Sequence, residues 1–258
     1  MTPRDETGGA ATRQRVAPPH QPLLSYYDAP HDRFDFVRNL FNRTAGSYDG
    51  INRFMSFGCG AWYRRRTLVQ AGLKPGARML DVAIGTGIVA REAVRILGCA
   101  EDVIGLDVSE GMLGIARASL PIPLLQARAE ALPLGDASLD FVSMGYALRH
   151  VSDLLLVFEE FRRVLRPGGR LLILEMGRPE GPVGYAVAKT YLGRIVPAFS
   201  RLASAESRTL MRYYWDTIDA CVPAADILGR LREAGFADVA CHTELGIFRA
   251  YSARRPAG

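Results

Sequence analysis

The stretch Arg78-Met-Leu-Asp81-Val-Ala83 is apolar apart from its ends and one acid, and it passes through Gly85-Thr86-Gly87 straight into Ile88-Val89-Ala90 and a helical pattern. No other feature constrains the fold as strongly. A strand that turns on glycine into a helix reaches a parallel neighbour only by a crossover, and a parallel sheet is covered on both faces. The rest of the chain keeps this rhythm. Arg78–Ala83, Val103–Asp107, Leu124–Ala127, Leu139–Met144 and Arg170–Glu175 read as strands, with helices at 87–97, 109–118 and 152–165. The last of these closes at Arg166-Pro167-Gly168-Gly169. A helix over 223–234 capped by Gly235 and strands near 237–243 and 246–252 complete a set of seven. The expected fold is α/β, a seven-stranded, mostly parallel sheet with helices on both faces.

Three segments stand outside the alternation. Residues 34–72 carry Phe36, Leu40, Phe41 and Tyr48 at helical spacing, with a break expected at Asp49-Gly50. Residues 178–222 place Tyr185, Ala188, Leu192, Ile195, Phe199 and Leu202 three or four apart, an amphipathic helix that Pro197 should kink. Residues 1–33 hold Pro3, Pro18, Pro19, Pro22 and Pro30 and lack apolar periodicity. They are expected to be a mobile tail that packs weakly if at all, so that one domain spans 34–258.

Composition sets the outer limits. With 258 residues, 48% hydrophobic and 23% charged, the chain can bury one sizeable core. That excludes a wholly disordered chain, a collagen-like repeat and a disulfide-stapled mini-protein. The net charge of +5 is nearly all arginine, Lys74 and Lys189 being the two lysines, for which coding bias is a simpler source than anion binding. Cys59, Cys99, Cys221 and Cys241 lie too far apart for a Cys-x-x-Cys zinc site, and no metal is expected. There is no secretory-signal pattern and no apolar run of about 18 residues. A soluble protein of the reducing cytoplasm is expected.

The glycine loop is where chemistry enters. Glycine allows a tight turn and close approach of a ligand to the backbone. Gly85-x-Gly87-x-x-Ala90, with Asp107 ending the next strand, fits the dinucleotide-binding pattern, in which the acid holds ribose hydroxyls. A plain turn, and an Asp107 that merely opens a helix, are the simpler alternatives. Asp81 separates the candidate ligands. An inward-pointing acid before the loop would repel an anionic pyrophosphate, whereas it suits the ammonium and sulfonium of S-adenosylmethionine.

Further motifs carry a family resemblance over about 34–250. Tyr48-Asp49-x-x-Asn52-x-x-Met55-Ser56-Phe57-Gly58, Ala129-Glu130-Ala131-Leu132-Pro133 and Arg163-Val164-Leu165-Arg166-Pro167-Gly168-Gly169 through Glu175 resemble the ubiquinone and menaquinone biosynthesis C-methyltransferases. Tyr146-Ala147-Leu148-Arg149-His150 sits where that family has Phe-Gly-Leu-Arg-Asn. The sequence departs from the pattern at Gly60, Tyr63, Ile84, Arg128, His150, Gly177 and Trp215–Pro223. The resemblance implies a Rossmann-like class I methyltransferase fold with S-adenosylmethionine as cofactor. It implies a cofactor site of Tyr48, Asp81, Ala83, Gly85, Thr86, Gly87, Asp107, Val108, Met112, Arg128, Ala129 and Gly145.

The acceptor implied by the resemblance is a hydrophobic quinol-type ring methylated on carbon. Such a carbon is a poor nucleophile until a neighbouring hydroxyl loses its proton. Arg149 is the candidate for stabilising the oxyanion and His150 for taking the proton, against structural roles as ion-pair partner and capping residue. The 178–222 insert, with Lys189, Arg194 and Arg201, is the candidate acceptor lid and point of peripheral membrane contact, against ordinary docking on the sheet. Arg64-Arg65-Arg66 reads as a solvated face, or as contact with an anionic surface. A homodimer is compatible with the sequence. Another small hydrophobic acceptor, methylated on carbon, oxygen or nitrogen, remains open, as does a non-catalytic scaffold; an intact glycine loop with Asp107 argues against the scaffold. Nucleic acid is not an expected partner. The place after the fourth strand reads Gly145-Tyr146-Ala147-Leu148 rather than the Asn/Asp-Pro-Pro-Tyr that holds a flipped base.

Overall fold

Continuous apolar runs become the central strands, and their flanking helices are amphipathic. The computed structural model describes residues 17–55, 60–199 and 205–257. In chain order these form α1 (Arg33–Met55), α2 (Gly60–Gln70), β1 (Met79–Val82), α3 (Ile88–Leu97), β2 (Val103–Asp107), α4 (Glu110–Ser119), β3 (Leu124–Gln126) and β4 (Leu139–Gly145). There follow α5 (Leu154–Val164), β5 (Leu165–Met176), α6 (Pro182–Thr190), α7 (Val196–Phe199), α8 (Ala205–Ala220), α9 (Ala224–Glu233), β6 (Ala237–Glu244) and β7 (Phe248–Arg254). The strands lie in the order β3-β2-β1-β4-β5-β7-β6. β1 to β5 pair in parallel, and β7 runs antiparallel to both its neighbours.

Register brings the strand ends level. Val82 pairs with Leu106 on one side and Met144 on the other. The chain runs outward from β1 to β3 and then restarts at β4, so the direction of winding reverses between β1 and β4. In open α/β sheets the crevice at such a point, beyond the carboxyl ends of the strands, is where ligands bind. Strand alternation divides the core. Leu80, Val82, Val142 and Met144 pack with α5 and α9, whereas Met79 and Phe141 pack with α2 and α3. Side-chain caps fix the helices nearest the crevice. Ser109 accepts from the Met112 N–H at the start of α4, and Asp153 from the Leu155 and Leu156 N–H groups at the start of α5.

Four sequence expectations need correction. α1 continues through Asp49-Gly50 without a break, because the Thr86 hydroxyl donates to Asp49 Oδ1 at 2.5 Å and ties the helix to the glycine loop. Residues 17–33 do not hang free. Ala17 and Tyr27 are buried, the Ala17 carbonyl accepts from Leu154 N–H, and the Pro19 carbonyl accepts from Val222 N–H. Residues 1–16 of the expected tail lie outside the described residues. β5 begins at Leu165, five residues early, with an irregularity against β4 between Leu139 and Phe141. Pro197 produces a wide turn rather than a kink: Tyr191–Ile195 is a π-helical turn between α6 and α7. A proline ring crowds the carbonyl four residues earlier, here Gly193 within that turn.

The insert is also not what the periodicity suggested. Leu210, Met211, Tyr213, Tyr214, Trp215 and Ile218 of α8 form a third core with Val37 and Leu40 of α1. The arginine run divides as well. Arg64 is buried over the Tyr146 ring, and Arg66 lies over Trp62 and pairs with Glu244.

Candidate active site

A cavity of about 280 Å3 lies at the carboxyl ends of β1, β2 and β4. Ala83, Gly85, Asp107, Val108, Met112, Arg128, Ala129, Gly145, Tyr48 and His150 all line it. Asp107 sits at its polar end. Its Oδ2 accepts from Gly85 N–H and its Oδ1 from Ser109 N–H, both at 2.8 Å, which fixes the carboxylate at the mouth of the glycine turn. Burial pushes its pKa up against the pull of these N–H groups. Gly85 is left-handed, as is Ala83 two residues before it. Gly145 is required by a close approach: a Cβ there would stand 2.8 Å from Val89 Cγ2. Ile84 turns its side chain back over Gly105 in β2, so its bulk does not enter the cavity.

Four expected residues do not reach the cavity. Asp81 is on the other face of β1 from Val82, pointing toward α3. The Ser143 hydroxyl donates to its Oδ1 at 2.5 Å, its Oδ2 has no partner, and burial pushes its pKa up to about 7. Strand alternation explains the misreading: an acid in the penultimate position of β1 faces the helix layer, not the strand end. Thr86 is occupied by Asp49. Gly87 is left-handed at the N-terminus of α3 and lies against α4, where a Cβ would be 2.5 Å from Leu120 Cδ1. It serves packing.

Arg149 is the largest correction. It is fully buried, ion-paired with Glu175, bonded through Nε to Thr217 Oγ1 and stacked over the Tyr214 ring at 4.0 Å. Its charge is neutralised inside the fold, and it does not stabilise an oxyanion in the cavity. Removing one member of such a buried pair strands the other, at a cost of about 3–5 kcal/mol.

His150, its neighbour, does face the cavity. The ring lies between Phe41 (centroids 5.3 Å, edge-on) and Tyr213 (5.5 Å, stacked), and neither nitrogen has a hydrogen-bond partner. Burial first, then the cations Arg149 and Arg33, hold its pKa well below the usual imidazole range. The imidazole is therefore neutral at pH 7, with both nitrogens buried and unpaired behind the cavity wall.

The roof of the cavity comes from α1, of which sequence reasoning assigned only Tyr48 to the site. Phe34, Val37 and Phe41 recur at helical spacing on the cavity side, Val37 also reaching the α8 core, while Phe36 and Leu40 face α8. Arg128 stacks its guanidinium over Phe34 at 4.2 Å and pairs with Glu130, so it closes one side of the roof. Asn42 Oδ1 accepts from the Ser109 hydroxyl and from Gly111 N–H, docking α1 on the start of α4. The signal was present as a second apolar stripe on one helix.

Asp107 beside an open glycine turn, small residues at Gly145 and Ala129, and the apolar wall of Val108 and Met112 fit an adenosine bearing a short amino-acid arm. This fold and this site define a class I S-adenosylmethionine-dependent methyltransferase. The chain belongs to the ubiE/COQ5 methyltransferase family, whose model matches residues 28–251. It is 36% identical over 229 residues to the ubiquinone/menaquinone biosynthesis C-methyltransferase UbiE of Syntrophotalea carbinolica, covering 85% of this chain and 94% of that protein. The enzyme of the same name from Hahella chejuensis is 34% identical over 206 residues, covering 77% and 82%. Solved structures share the fold. An S-adenosylmethionine-dependent methyltransferase from Aquifex aeolicus superposes with a TM-score of 0.54 at 22% identity, over 74% of this chain and 89% of that one. Phosphoethanolamine N-methyltransferase 2 of Haemonchus contortus, in complex with S-adenosyl-L-methionine, gives 0.57 at 18%, over 85% and 60%.

Proposed function

We propose that the protein transfers a methyl group from S-adenosylmethionine to a ring carbon of a hydrophobic quinol-type acceptor. The observation that carries this reading is the second end of the cavity. Phe34, Val37 and Phe41 make an apolar wall around a neutral imidazole with both nitrogens unpaired. That environment matches a flat apolar ring bearing a hydroxyl, and the names of the two relatives point the same way. The bound cofactor supplies an electrophilic methyl on a sulfonium. Asp107, Gly85, Ala129 and Met112 hold its adenosine part, and Tyr48 and Gly145 border the reacting end. His150 accepts a hydrogen bond from the ring hydroxyl and takes its proton. Such general-base assistance is worth about 10²- to 10⁴-fold in rate, and alignment of the two reactants supplies more.

A prenylated acceptor resides in a lipid bilayer. Val183 and Val187, one turn apart on α6, are 76% and 64% exposed and share that helix with Lys189. They are the residues through which the enzyme would rest on the membrane. Among the described residues no helix is long and apolar enough to cross one.

The test uses vesicles loaded with a reduced, demethylated quinol, and S-adenosylmethionine labelled with 13C in its methyl group. An aryl C–CH3 resonance is expected in the product, and the His150→Gln enzyme should lose about 10²-fold or more in kcat. The wild type should float with the vesicles, and a Val183→Asp/Val187→Asp variant should not. A methyl on oxygen, or no transfer, contradicts the reading of the acceptor; wild type that fails to float contradicts the membrane reading.

A further inference from the structure

Deprotonating a phenolic acceptor demands more than a neutral base. A ring hydroxyl has a pKa of about 10, as in tyrosine, whereas the imidazole facing it is held well below the usual histidine range. Proton transfer between them is uphill unless a positive charge stabilises the phenolate. Arg149 cannot do this, because Glu175 neutralises it.

A second buried arginine lines the cavity. Arg33, the first residue of α1, is 8% exposed. Its Nη2 donates to the Arg149 carbonyl at 2.7 Å and contacts His20 Nε2 at 2.9 Å, and its Nε has no partner. No carboxylate among the described residues pairs with it. His20 offers no charge of its own, since burial and then Arg33 lower its pKa to about 4. The other groups near Arg33 are the His150 ring, the Tyr213 hydroxyl, which lies within hydrogen-bonding reach of the guanidinium, the Cys221 thiol and the neutralised Arg149–Glu175 pair, none of which carries a free negative charge at pH 7. A guanidinium buried without a counter-ion is costly. The fold holds it beside unpaired His150 nitrogens at the wall of a cavity, an arrangement complete only when an anion is present.

We propose that Arg33 binds the acceptor's ring oxygen as the phenolate and is the cation on which carbon methylation depends. This rests on the methyltransferase reading of the same cavity. The hydroxyl proton passes to His150 and the negative charge settles on Arg33. The adjacent ring carbon supplies the electron pair of the new C–C bond, and the methyl–sulfur bond breaks with its pair left on sulfur. The ring C–H proton then leaves to water, which restores the aromatic ring as a phenolate; His150 returns its proton to that oxygen, so the methylated phenol departs, His150 ends neutral and one proton is released per methyl transferred.

The subsite can be read without turnover. 4-Nitrophenol, whose ionised form is coloured, is titrated by absorbance on the full-length protein saturated with S-adenosylhomocysteine. The bound probe should ionise at least about one unit below its free value in the wild type. That shift should vanish in Arg33→Met and largely persist in Arg33→Lys. A bound probe with an unshifted pKa in the wild type, a shift unaltered in Arg33→Met, or no saturable binding of the probe overturns the proposal. Calorimetry with S-adenosylhomocysteine on the same samples separates the two failures. If the wild type does not bind it, the methyltransferase reading fails; if it binds and the probe is unshifted, Arg33 alone is misassigned. If Arg33→Met does not fold, the wild-type pKa and the Arg33→Lys variant still decide the matter.

Discussion

Asp81 and Asp107 lie at or next to the ends of adjacent strands, yet their surroundings differ. Asp107 points past the strand end, and two backbone N–H groups hold its carboxylate. Asp81 points sideways into the α3 layer, where the Ser143 hydroxyl donates to one of its oxygens and the Ala90 backbone lies within reach. Its folded pKa, raised from 3.8 to about 7, has a definite sign in stability. The native state keeps its proton where the unfolded chain loses it, so this contribution is full below pH 4 and is lost as pH rises to 7. Asp81→Asn keeps the acceptor oxygen and removes the charge. Urea unfolding should find the variant equal to wild type near pH 4 and more stable by about 2–4 kcal/mol at pH 8. Equal stability at both pH values would show that Asp81 is not desolvated. The same scale explains the misplacement of Arg149. The motif that contains Arg149 and His150 is legible in the sequence, but which of two adjacent side chains turns outward depends on Glu175, 26 residues further on, and on Thr217.

At the scale of elements, the central sheet was legible because strands buried on both faces are written as apolar runs; β2 matches its expected limits and β4 overruns them by a single residue. The helices over it were legible from their caps and glycines. α1 was not, for a physical reason. Asp49-Gly50 weakens a helix intrinsically, and contacts from elsewhere, Thr86 to Asp49 and Asn42 to α4, override that preference. Its two apolar faces also look alike in sequence. One packs on α8 and the other roofs the cavity, and periodicity alone assigns neither. For the same reason the 178–222 segment reads in sequence as a lid, although none of its described residues lines the cavity. If α1 is the roof, it must open to admit ligands, and its docking bonds set how often it does. Asn42→Ala removes two of them, worth about 1 kcal/mol each. Hydrogen exchange of α1 amides should accelerate by about 10- to 30-fold, with the sheet unchanged. Equal protection in both proteins would mean that α1 is held by other contacts.

Across the whole molecule, the sheet order sets one crevice, and α1 divides it into two chemically distinct ends. In the proposed function, Asp107 and the glycine turn hold the cofactor, and the aromatic wall, His150 and Arg33 hold the acceptor. The family's cofactor chemistry and this chain's own departures from the family pattern meet in that single space. Arg128 serves the roof, Ile84 folds away over Gly105, and His150 remains in the wall. The central claim is that these two ends are separate in function. It is tested most directly by calorimetric titration of S-adenosylhomocysteine into wild type, Asp107→Ala and His150→Gln. The expected result is saturable binding to wild type, a loss of about tenfold or more in Asp107→Ala, and little change in His150→Gln. Equal affinity in wild type and Asp107→Ala, or a loss confined to His150→Gln, would contradict it.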